Sequence, residues 1–218
     1  MFRTKLMNPL FFFRSAKNIA LLSFLIPSIV ISAGWETSHP KDVKAFETGN
    51  LPAIKRILVK DNYIEGDPRF LRFALEKAIS SGNVDLLRYL NDRGWLQKCR
   101  QLECYPVHEA ARHGRVEIIK FLGAEGFDAK AVDNVNSEYG GNTPLHYAAS
   151  RGHLETVKLL CELNVDARLK NRKGDTALDL AQFQLDINHG GTKKEEEMAK
   201  VRFRKIVEYL ANRDCTKK

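Results

Sequence analysis

Glycines at positions 49, 82, 114 and 152 recur at intervals of 33, 32 and 38 residues. A period near 33 constrains the fold more than any other feature of the chain. It implies one supersecondary unit, used repeatedly and stacked on copies of itself. Superposing Pro106–Asp128 on Pro144–Asp166 gives nine identities in 23 positions. They are Pro106/Pro144, His108/His146, Ala110/Ala148, Ala111/Ala149, Gly114/Gly152, Glu117/Glu155, Lys120/Lys158, Leu122/Leu160 and Asp128/Asp166. An earlier copy aligns Ala78, Gly82, Val84 and Leu90 with Ala110, Gly114, Val116 and Leu122, and a weaker one places Ala45, Gly49 and Ile54.

Each unit reads as a helix pair. Thr143 is a good N-cap, and Pro144 suits the first helical position, where a missing N–H costs nothing. The paired alanines let neighbouring first helices stack closely. Gly152 ends the first helix in a left-handed cap. Leu154, Val157, Leu160 and Cys161 recur at helical spacing and give the second helix one apolar stripe. Asn164-Val165-Asp166 turns the chain out, and Trp95, Phe127 and Val165 share a register that predicts stacking from unit to unit.

The run Gly141-Asn142-Thr143-Pro144-Leu145-His146-Tyr147-Ala148-Ala149, followed by Gly152-His153-Leu154-Glu155, closely resembles the ankyrin-repeat consensus. Tyr105-Pro106-Val107-His108-Glu109-Ala110-Ala111 is similar, with Tyr in place of the capping Thr. Gly174-Asp175-Thr176-Ala177-Leu178-Asp179-Leu180-Ala181 resembles the start of another unit. The resemblance implies an all-α ankyrin-repeat solenoid of helix–turn–helix units with β-hairpin-like loops. It also implies that His108 and His146 bond the neighbouring hairpin, and that binding to proteins runs through hairpin tips and first helices.

The expected organisation is a leader at 1–33, a degenerate N-terminal capping repeat at 34–66, and repeats at 67–100, 101–134 and 135–169. A degenerate C-terminal repeat with an insertion follows at 170–212, then a tail at 213–218. Two departures from the period matter. The loop Ala131–Asn142 is lengthened, and its Asn134, Asn136, Ser137, Gly140 and Gly141 suit an exposed finger. The last unit is interrupted after Ala181. Thr192 with Glu195 then makes a capping box, and Met198, Val201, Ile206, Val207 and Leu210 predict an amphipathic capping helix that ends at Asn212. Its run Lys193–Glu197 reads as a solvated face.

Residues 1–33 hold Arg3, Lys5, Arg14 and Lys17 and no acid. With its apolar run Ile19–Ile31 and the small residues Ser32-Ala33-Gly34, this segment reads as a secretory signal cleaved after Ala33. The alternative is an uncleaved anchor, because the uncharged run Asn18–Trp35 reaches the lower limit of a membrane span. The whole chain carries 35 basic and 27 acidic residues, net +8. The four leader cations supply half of that excess, so without a basic block the rest does not argue for nucleic acid. In an oxidising compartment, Cys99 and Cys104, which flank a hairpin position, are expected to close a small disulfide. Cys161 reads as a core residue, and Cys215 has no evident partner.

No catalytic pattern emerges. His108-Glu109 and His113 fall short of a zinc-protease motif, which needs histidines four apart. No phosphate loop, nucleophile elbow or carboxylate pair is present, and no cofactor or metal is implied. What remains is a binding surface at the variable positions of the repeat: Arg112, His113, Ser150 and Arg151 on first helices, and Tyr139, Asn142, Arg172, Lys173 and Asp175 on hairpins. Arg112, Arg151, Arg172 and Lys173 would form a basic concave strip suited to an acidic protein. The reading is of an exported monomer that binds a protein without catalysis; the resemblance to exported ankyrin-repeat proteins implies, most specifically, a periplasmic immunity protein that blocks a toxin. Its rivals are a periplasmic or membrane-anchored scaffold and a secreted effector that binds a host protein.

Overall fold

A computed structural model describes residues 40–60, 68–102, 104–133, 140–187, 191–212 and 215. Residues 1–33, expected to be a leader, Tyr139, and the residues Asn134, Asn136 and Ser137 expected in a finger lie outside the described residues. Among those described the regular structure is helical: α1 (Pro40–Glu47), α2 (Leu51–Lys60), α3 (Pro68–Ser81), α4 (Val84–Asp92), α5 (Trp95–Gln101), α6 (Pro106–Arg112), α7 (Val116–Ala124), α8 (Pro144–Ser150), α9 (Leu154–Glu162), α10 (Ala177–Asp186) and α11 (Lys193–Asn212). No helix among them is long and apolar enough to cross a membrane.

The helices stack in two columns. First helices α3, α6, α8 and α10 pack in sequence, and second helices α4, α7, α9 and α11 do the same beside them. Small side chains make the first column possible: Ala74, Ala78, Ala110, Ala111, Ala148, Ala149, Ala177 and Ala181 are all inaccessible to solvent. Larger residues fill the space between columns. Leu86, Leu87, Leu90, Ile118, Ile119, Leu122, Val157 and Leu160 are buried, each stabilising by about 1.5–3 kcal/mol relative to exposure. At the N-terminal end an aromatic cluster takes over, with Phe46 edge-on to Phe70 and Phe73 and Phe70 edge-on to Trp95.

The caps follow the repeat. Pro106 and Pro144 open α6 and α8 at the first helical turn. Thr176 caps α10 through reciprocal bonds with Asp179, whose carboxyl is held below its usual range by the Thr176 N–H and hydroxyl. Thr192 and Glu195 form the expected box, with Thr192 N–H donating to Glu195 Oε2 at 2.7 Å. Second helices end in a second series of left-handed residues: Gly94, Gly126 and Asn164, the last at φ 58°. Asparagine tolerates this region better than most side chains, so Asn164 is the local equivalent of the two glycines.

Three expectations need correction. Cys99, expected to flank a hairpin position, lies within helix α5, where it forms a buried face one turn long with Trp95 and Leu96. On α11 the buried stripe is Ala199, Phe203, Ile206 and Leu210, while Met198 and Val201 are exposed at 59% and 38%. The apolar residues of this helix span more than one face, and packing on α10 and α9 selects which one is covered. Of the shared register, Trp95 and Val165 are buried, but Phe127 is half-exposed and lies beneath the Arg100 guanidinium, 4.4 Å from ring centre to carbon.

The cysteine pairing also differs. Cys99 and Cys104 are thiols, and the disulfide joins Cys161 to Cys215. Cys161 lies at the end of α9, which packs on the terminal helix, and Cys215 meets it there. The bond closes a loop across 54 positions and ties the tail to the preceding repeat.

Candidate functional site

The consensus histidines stitch one repeat to the next. His146 Nδ1 accepts the Thr143 N–H at 3.0 Å, so its Nε2 carries the proton and donates to the Asp175 carbonyl at 3.1 Å. His108 Nε2 makes the equivalent bond to the Asn142 carbonyl at 3.2 Å. Burial depresses the pKa of both rings and keeps them neutral. A second set of bridges runs from the residue after each helix-ending glycine. Asn83 Nδ2 donates to Gly49 O, Arg115 Nε to Ser80 O, and His153 Nε2 to Arg112 O, at 3.1, 2.8 and 3.0 Å. Each satisfies a carbonyl at the end of the preceding unit's first helix, where no intrahelical partner exists.

The base of the long loop is held by Asp133, which sequence reasoning missed. Its carboxylate accepts from Gly141 N–H, Asn142 N–H and the Tyr147 hydroxyl at 2.6, 3.1 and 2.5 Å. Its backbone pairs with Asn142 O and Gly141 N. Asp133 is buried, at 3% exposure. It lies within the lengthened segment, where the repeat period offers no template, so nothing in the local sequence marked it out. Burial, followed by the contact with Asp133, pushes the Tyr147 phenol well above its usual range.

These bonds remove Asn142 from the candidate surface. It is 8% exposed; its N–H donates to Asp133, its carbonyl accepts from His108, and its side-chain oxygen accepts from Asn171 Nδ2 at 3.1 Å. Asp175 is half-buried; it accepts from His146 and closes the Asn171–Asp175 turn through Asn171 N–H. Arg151, Arg172 and Lys173 are exposed, and Arg112, His113 and Ser150 are half-exposed.

The outward residues fall into two groups rather than one strip. Arg112, His113, Ser150 and Arg151 gather at the C-terminal ends of α6 and α8, where cations also favour the helix dipole. Arg172 and Lys173 sit on the turn whose backbone meets Gly140, before the N-terminus of α8. The seven-residue α8 separates the groups by about 10 Å at 1.5 Å per residue. Glu109, absent from the sequence expectation, lies within the first group and pairs with Arg112 at 3.4 Å and His113 at 2.9 Å. The i,i+3 and i,i+4 spacing is the signal that would have found it.

This architecture agrees with the comparison to known families. A model of ankyrin repeats in three copies matches residues 107–189, and a model of ankyrin repeats in many copies matches residues 75–122. The chain carries ankyrin repeats. Ankyrin repeats are in general non-catalytic scaffolds that bind proteins, which suggests protein binding for this chain. No curated protein matches the chain.

Proposed function

We propose that this ankyrin-repeat chain is an exported protein that binds an acidic protein partner without catalysis, and that its partner is a toxin it neutralises in a bacterial periplasm. The observation that carries the binding reading is the pair of arginines at the C-terminal ends of successive first helices, Arg112 and Arg151. Arginine is enriched at interface hot spots, and a basic face accelerates encounter with an acidic one. Export is supported by the basic and apolar character of residues 1–33. The Cys161–Cys215 bond fits the same compartment, since disulfides persist where the environment oxidises. The protein is read as a monomer without cofactor.

The test is co-purification from the native host's periplasmic fraction, using the wild type and Arg151→Glu. The expected result is one acidic protein retained by the wild type and weakened about tenfold or more by charge reversal, as for a central interface arginine. Co-expression should protect cells from that protein. Recovery from the cytoplasm with residues 1–33 intact, or a partner whose presence harms no cell, overturns the immunity reading and favours a scaffold. Capture of a host protein from the culture medium favours an effector.

A further inference from the structure

The two thiols that do not form the disulfide are not isolated. Cys99 lies on the buried face of α5 at 1% exposure, and Cys104 lies in the segment leading to α6, half-exposed. Their backbones are joined by Cys104 N–H donating to Cys99 O at 3.1 Å, and each thiol shifts the ionisation of the other. Arg72 brackets the same turn. Its guanidinium donates to Leu102 O at 2.6 Å and also contacts the Cys104 sulfur. The pair therefore combines an accessible sulfur, a cation beside it, and a buried second thiol in contact.

We propose that Cys104 and Cys99 form a thiol–disulfide exchange site, with Cys104 as the attacking sulfur, Cys99 as the resolving sulfur, and a small disulfide such as oxidised glutathione as the co-reactant. Cys104 thiolate attacks one sulfur of the disulfide and forms a mixed disulfide, releasing one thiolate. Cys99 then loses its proton and attacks Cys104 Sγ, expelling the second thiolate, which is protonated. Two protein thiols are oxidised to one bond, and one small disulfide is reduced to two thiols. The Cys99–Cys104 bond then ties α5 to the entry of α6.

Electrostatics agree with this assignment of roles. The Cys99 thiol lowers the Cys104 pKa, aided by the Arg72 charge and opposed by burial. The same interaction raises that of Cys99, with burial acting in the same direction. A lowered pKa raises the thiolate fraction and is what distinguishes reactive cysteines from inert buried ones.

The experiment treats the full-length native protein with oxidised glutathione, quenches with an alkylating agent, and maps the peptides, which resolves this pair from Cys161–Cys215. The wild type should form the Cys99–Cys104 link without a lasting adduct. Cys99→Ser should accumulate one glutathionyl group on Cys104, and Cys104→Ser should leave Cys99 unmodified. A second readout needs no variant: at neutral pH Cys104 should alkylate several-fold faster in the folded protein than in urea, the reverse of what partial burial alone would give. Slower alkylation in the folded state, a persistent adduct on the wild type, or equal modification of Cys99 and Cys104 in the two variants overturns the proposal.

Discussion

The His153 ring covers Gly114: its Nδ1 lies 2.6 Å from where a β-carbon on Gly114 would stand, and its Nε2 donates to Arg112 O at 3.0 Å. Gly114 has φ 68°, so a side chain there is strained as well as blocked. Gly114→Ala should destabilise by about 2–3 kcal/mol, the sum of left-handed strain and lost packing. His153→Ala should cost about 1 kcal/mol for the lost hydrogen bond. The double variant should cost less than the two together, because the ring that blocks the new methyl is gone. Urea midpoints of the three variants measure this, and strict additivity would show that ring and glycine are uncoupled.

Acid should weaken the array near neutrality. Burial depresses His108, His146 and His153 below the ordinary histidine value of 6.5. The unfolded chain then binds more protons than the folded one, so stability is complete above about pH 6.5 and falls as pH drops toward the folded-state values. Urea unfolding from pH 8 to pH 5 should show this slope, and His146→Gln should flatten it. An unchanged slope in that variant would remove His146 as a contributor.

The Asp133 anchor predicts a graded series. Asp133→Ala strands two backbone N–H groups and the Tyr147 hydroxyl, at a cost of about 2–4 kcal/mol. Tyr147→Phe removes one donor and should cost about 1 kcal/mol. In a spectroscopic titration of the wild type, one phenol should ionise well after an ordinary tyrosine, and Tyr147→Phe should delete that late component.

The Cys161–Cys215 bond should stabilise the C-terminal end. For a loop of this length the chain-entropy argument gives about 4 kcal/mol. Cys215→Ser, or reduction of the wild type, should lower the urea midpoint accordingly. Hydrogen exchange should accelerate first in α11, whose partners are α9 and α10. Equal protection of α11 with and without the bond would contradict that.

The repeat period, the opening prolines, the left-handed glycines and the bonding role of His108 and His146 were legible in the sequence. Each is dictated within a few residues or by register between copies. Proline fixes its own φ, and the two consensus histidines, His108 and His146, meet equivalent carbonyls of the next unit. What only the tertiary structure decided lies where copies differ or where distant segments meet. The lengthened loop has no counterpart in the other units, so neither Asp133 nor the burial of Asn142 could be read from the period. Cys99, expected to flank a hairpin position, lies within the helix Trp95–Gln101, whose Trp95, Leu96 and Cys99 face is buried. On α11, apolar residues lay on more than one face, and the neighbouring column chose Phe203 and Ile206 over Met198 and Val201. Proximity in sequence favoured pairing Cys99 with Cys104. The disulfide instead joins Cys161 to Cys215 across 54 positions, since the path of the last helix sets which sulfurs meet.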